Sequence, residues 1–151
     1  MATTMERFRE VPSHSVPADE LEVSRLALDC ICRALGLPAS IRLRWFRPLN
    51  TFDESAEACF GAPPWATFAD DERIRGRMNQ RDGSEIWVRS HGGPRRVALT
   101  VAHELRHVAQ VSTHGFLINA ADIDAHHAAI EADADDFASS AIDVLLPNLK
   151  P

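Results

Sequence analysis

Two histidines four residues apart, His103 and His107, with Glu104 directly after the first, lie inside a run from Arg95 to Gln110 whose apolar residues recur at helical spacing. Val97, Val101, Leu105 and Val108 form one side of that run, and Gly92-Gly93-Pro94 precedes it with proline near the first turn. On a helix, residues four apart sit about 40° apart around the axis and one turn along it. Both imidazoles can therefore meet one metal ion while the apolar side anchors in a core. Glu104 lies near the same face, able to hold a metal-bound water and accept its proton. A random chain of this composition shows the HExxH spacing roughly 2% of the time, and the helical context reduces that further. A surface helix with two solvated histidines and a Glu104–His107 contact explains the residues but not their setting.

A catalytic zinc takes three protein ligands and leaves a fourth position for water. The extended metzincin pattern would need Gly at 110 and His at 113, where this chain has Gln110 and Thr113, with His114 one residue late. A better source is the later polar helix Asp124–Ala138, in which Glu131 and Asp135 are four apart and share a face. Glu131 can ligate the metal while Asp135 accepts the outer N–H of a ligand histidine and so fixes its ring. His126, His127 and Asp133 stand in reach as alternative third ligands, since imidazole and carboxylate both suit zinc. Ala128, Ala132 and Ala134 keep this helix slim enough to pack closely beside another.

HELRH followed 24 residues later by Glu131-xxx-Asp135 resembles the gluzincin group of metallopeptidases. The segment Glu131-Ala132-Asp133-Ala134-Asp135-Asp136-Phe137-Ala138 is similar to the ExEAxxFA stretch of the ImmA/IrrE-type minimal zinc peptidases, and Leu145-Leu146-Pro147 to the apolar-Pro sequence that follows it there. Arg106 stands inside the motif where the zincin pattern prefers an uncharged residue. The resemblance covers roughly residues 85–147. It implies a cytoplasmic zinc metallopeptidase with one Zn²⁺ per chain, His103, His107 and Glu131 as ligands, and Glu104 as general base toward a peptide or protein substrate. A third histidine, His126 or His127, in place of Glu131 would instead resemble the SprT-like proteases. The competing expectation is a zinc-stabilised binding or regulatory module that keeps the motif without turnover; a module of that kind has no use for Glu104. Many zincins stabilise the oxyanion with Tyr, but this chain contains no Tyr, so any side-chain donor is of another type, His, Arg or Asn/Gln, with His91, His114, His126 and His127 among the candidates. The strand Glu85–Arg89 resembles in position the edge strand that holds zincin substrates extended.

The remaining chain supplies the scaffold. Residues 1–17 hold Pro12, Pro17 and few apolar side chains and read as a flexible arm, with residues 18–151 as one domain. Asp19 can cap a helix from Glu20 to about Leu35, with Val23, Leu26, Ala27, Cys30 and Ala34 on its buried face and Gly36 ending it. Ile41–Arg47 alternates apolar and basic, as a half-buried strand does. A second alternation from Arg73 to Met78, then Arg81-Asp82-Gly83, then Glu85–Arg89, reads as a hairpin. Phe52–Phe60 reads as a short helix. The expected fold is α+β: a minimal zincin-like domain with a small, mainly antiparallel sheet of about three strands packed on a helical core, the HExxH helix and the second ligand-bearing helix adjacent.

Net charge is −6, with +5 confined to residues 73–106 between acidic flanks, which argues against non-specific nucleic-acid binding. Three cysteines, Cys30, Cys32 and Cys59, without a CxxC point to small buried side chains in a reduced setting. No apolar run reaches the roughly 20 residues of a bilayer span, and no secretory signal is expected at the N-terminus. The sequence carries no signal for an oligomeric state.

Overall fold

The structure, a computed structural model, describes residues 8–38, 40–48, 76–78, 85–114 and 120–149. In chain order these form β1 (Phe8–Val11), α1 (Ala18–Leu35), β2 (Arg42–Pro48), β3 (Gly76–Met78), β4 (Glu85–Arg89), α2 (Pro94–His114) and α3 (Ala120–Leu145). The architecture is α+β, as the sequence implies. The expected helix at Phe52–Phe60, the Asp82-Gly83 turn and Cys59 lie outside the described residues.

The described strands form one sheet in the order β1-β2-β4-β3. It is mixed. β1 is antiparallel to β2 and β3 antiparallel to β4, but β2 and β4 run parallel, with Trp45 opposite Val88. A parallel pair needs a long crossover connection, for which residues 49–84 provide ample chain. The antiparallel β3–β4 pairing, Gly76 opposite Val88 and Met78 opposite Ile86, agrees with the hairpin reading.

Two expectations change here. Residues 8–17 are not a loose arm: β1 adds an edge strand and Val11 and Val16 are buried in the main core. A four-residue strand is too short to show a period in sequence; its place is fixed at long range, where Glu10 takes two hydrogen bonds from Arg44. Nor is Glu85–Arg89 an edge strand. β4 lies between β2 and β3, and the strand at that edge of the described sheet is β3, which packs beside α2.

One face of the sheet, with Trp45, Ile86 and Val88, packs on the helices. α2 contributes Val97, Val101, Leu105 and Val108, the stripe read from the sequence, all of them buried. α1 packs on α2 through Val23, Ala27 and Ile31, with Glu20 and Ser24 buried beside them. Leu26 (47% exposed) and Ala34 face outward, so the buried stripe is rotated from the one expected. Cys32 is buried and Cys30 half-buried; both are free thiols. Gly36 ends α1 at φ 67°, a left-handed position that glycine adopts without strain. Trp87 is buried on the opposite face of the sheet, where the Arg44 guanidinium lies 4.4 Å above its ring and Glu85 accepts its indole N–H.

α3 lies along α2 through Ala134, Ala138 and Ile142, spaced four apart. Of the three alanines expected at this contact only Ala134 is there; Ala128 and Ala132 are exposed. Small side chains at 134 and 138 let the two backbones approach closely enough for short polar side chains to meet across the gap. Among the described residues, no helix is long and apolar enough to cross a membrane.

Candidate metal centre

His103 and His107 project from successive turns of α2, and the burial of Leu105 and Val108 fixes the rotation of the helix that aims them at α3. Glu131 reaches back from α3. The Nε2 atoms of the two histidines are 3.0 Å apart. Glu131 places Oε2 3.1 Å from His103 Nε2 and Oε1 2.9 Å from His107 Nε2. These three residues form a group that could hold a metal ion. A four-coordinate ion with bonds of ~2.0–2.1 Å has its donors roughly 3.3 Å apart, so a small expansion of this triangle accommodates one.

The outer ring nitrogens strengthen the fit. His103 Nδ1 lies 2.9 Å from Asp135 Oδ1, and His107 Nδ1 lies 2.8 Å from Gln110 Oε1. With Nδ1–H donated outward on both rings, each neutral imidazole directs the lone pair of Nε2 inward. Two lone pairs and a carboxylate then converge on one point at about 3 Å, an arrangement that a bound cation makes favourable, as does a proton on Nε2 donated to Glu131 when no ion is present. Asp135 thus sits where the sequence reading put it.

Glu104 is 5% exposed, and its Oε1 is 3.9 Å from His103 Nε2, beside the ligand triangle rather than in it. Asp133, the alternative carboxylate ligand, is committed elsewhere: Arg106 donates to both its oxygens at 2.8 and 3.2 Å, and Gln110 Nε2 donates to Oδ2 at 2.8 Å. That pairing accounts for a charged residue inside the motif. Arg106 turns toward α3, with its guanidinium 5.1 Å from the Phe137 ring centre, and links the two helices. His91 sits in the turn before α2, bonded to Ser90, and the first residue of α2, Pro94, is already nine residues, or roughly 14 Å along the axis, from His103. Its backbone N–H and that of Gly93 donate to the buried Glu20 carboxylate, which ties the start of α2 to α1. The side chains of His114, His126 and His127 lie outside the described residues.

Sequence reading missed Gln110, which bonds His107 at the site, and Glu20, which ties down the start of α2 away from it. Gln110 was legible only as a polar residue one turn after His107 on a face that is otherwise apolar. Glu20 offered no signal, since a glutamate in a first helical turn is ordinarily solvated.

The charges set opposite protonation tendencies. Burial pulls the His103 and His107 pKa values down, but the hydrogen bonds their rings donate to Glu131 and the charges of Glu104 and Glu131 outweigh it, so both stand above the ordinary imidazole value. Glu131 is held far below the usual carboxylate range by its hydrogen bonds to His103 and His107. In the metal-free protein the raised histidines stabilise the fold fully below pH ~6.5 and lose that contribution as pH rises through their folded values. The lowered Glu131 contributes above pH ~4.5 and loses it only as pH falls through its own folded value. Thermal melts in EDTA are therefore expected to show this cluster's stabilisation greatest near pH 5–6 and declining toward pH 8. A melting temperature that rises steadily across that range would contradict the coupling.

No family model, curated protein or solved structure matches the chain.

Proposed function

We propose that the chain is a zinc-dependent metallopeptidase of the gluzincin class, similar to the ImmA/IrrE-type minimal zinc peptidases. The observation that carries the reading is the convergence of two Nε2 atoms and one carboxylate, with both Nδ1 atoms tied to oxygen acceptors. Two imidazoles and a carboxylate suit Zn²⁺, one per chain, and leave a position open. Bound zinc would acidify an attacking water and polarise a peptide carbonyl.

The protein's own groups do the rest. His103, His107 and Glu131 hold the ion, and Asp135 fixes the His103 ring. Glu104, shielded from bulk water, accepts the proton of the attacking water and returns it to the leaving amine. β3, antiparallel to β4 and beside α2, is the strand along which an extended peptide would pair by backbone hydrogen bonds. The oxyanion donor must be a group other than Tyr, with His114, His126 and His127 as candidates. A reduced cytoplasmic setting agrees with the free thiols of Cys30 and Cys32.

Metal analysis of the purified protein, followed by cleavage of denatured protein substrates, tests this reading. One zinc per chain and cleavage that a chelator abolishes and added zinc restores are expected. A zinc-loaded protein that cleaves nothing would make the chain a zinc-stabilised binding module. One that takes up no zinc would remove the site itself.

A further inference from the structure

The geometry points to Gln110 as a positioning residue for the metal centre: its side-chain amide fixes His107 in the ligand tautomer and holds the stretch of α3 that carries Glu131. The inference rests on the metal-centre reading and extends it to a group that contacts neither ion nor substrate.

The orientation of the amide follows from its partners. Gln110 Nε2 donates to the Ile130 carbonyl at 3.1 Å and to Asp133 Oδ2 at 2.8 Å, both of which can only accept. Turning the amide over would set its oxygen against those two oxygens. Both N–H groups are thus used on α3, and Oε1 is left facing His107 Nδ1 at 2.8 Å. An amide oxygen can only accept, so His107 must carry its proton on Nδ1, and in the neutral ring Nε2 is the bare nitrogen. The tautomer that ligates a metal is imposed from behind by a neighbour one turn along the same helix.

The same amide sets the spacing between the helices. Ile130 immediately precedes Glu131, and its carbonyl accepts Gln110 with a lone pair to spare. Asp133 is gripped from the other side by Arg106. α3 is therefore fastened to α2 directly beside the ligand carboxylate, on both sides of it in sequence. Burial separates this bond from the one on the other ring. Gln110 is 7% exposed, whereas the Asp135 side chain that supports His103 is 72% exposed. A hydrogen bond shielded from water holds a ring orientation more firmly than one open to competition. The two ligand histidines are thus supported unequally, and His107 is the more firmly placed.

The test compares wild type with Gln110→Met, which keeps length and burial but neither donor nor acceptor strength. Zinc affinity is read by competition with a chromophoric chelator, and the ring N–H signals of the two ligand histidines by nitrogen-15 NMR of the zinc-loaded proteins. Gln110→Met is expected to bind zinc ~10–100-fold more weakly, the usual cost of losing a partner behind a ligand. It should lose the slowly exchanging Nδ1–H signal of His107 while that of His103 persists. A purely structural role would not single out one ring. Affinity within about threefold of wild type, or loss of both signals together, would overturn the inference. Should the variant fail to fold, the wild type still decides: its Gln110 side-chain amide hydrogens must exchange much more slowly than those of a free glutamine, and fast exchange would overturn the clasp. Failure of wild type to bind zinc would instead remove the metal-centre reading, and this inference with it.

Discussion

Replacing Glu131 with alanine is expected to weaken zinc binding by well over the ~10–100-fold that losing a partner behind a ligand costs, because it removes a ligand itself. The contrast with neighbouring carboxylates makes the prediction sharp. Asp133 is closer in sequence to the centre of α3's polar run, but its oxygens are occupied by Arg106 and Gln110. Asp135 points at the back of His103. Neither can replace Glu131 without breaking its present bonds. His127→Ala, measured in parallel, should keep wild-type affinity; the reverse result, with Glu131→Ala unaffected, would transfer the third ligand to a histidine. Glu131→Ala should also flatten the metal-free pH profile, since the raised values of both histidines depend on hydrogen bonds donated to Glu131.

Glu104→Gln carries the second large effect. The amide keeps nearly the same shape but cannot accept a proton, so zinc content should be unchanged while cleavage falls by ~10²–10⁴-fold, the range attributable to one general base. Its position supports the separation of roles: 3.9 Å from His103 Nε2 and outside the ligand triangle, it is near the reacting position without being needed to hold the ion. A variant that retains both zinc and full cleavage would leave Glu104 without a catalytic part.

Much of this site was legible because its chemistry is tied to helical period. His103, His107, Glu131 and Asp135 are each fixed by a four-residue spacing, and four-residue spacings survive whatever a helix packs against. The α2 stripe of Val97, Val101, Leu105 and Val108 was readable for the same reason. What escaped depends on tertiary context. The sequence of α1 allows more than one apolar stripe, and the choice was made by Glu20, which is buried in order to accept the backbone of His91 and Gly93. β1 is four residues long and is placed by Glu10 and Arg44, 34 positions apart. The parallel pairing of β2 with β4 is likewise a property of the crossover, and no local pattern encodes it. Gln110 lies between these cases: its spacing from His107 is helical, but its role appears only once Ile130 and Asp133 are beside it.

Two imidazoles and a carboxylate between α2 and α3 form a group that could hold one divalent cation. Anomalous diffraction at the zinc edge, from crystals grown with one equivalent of zinc, tests it most directly. A single strong peak is expected at ~2.0–2.2 Å from Nε2 of His103, Nε2 of His107 and an oxygen of Glu131. A peak at the cysteines or on the acidic surface of α3, with none between the paired imidazoles, would contradict it.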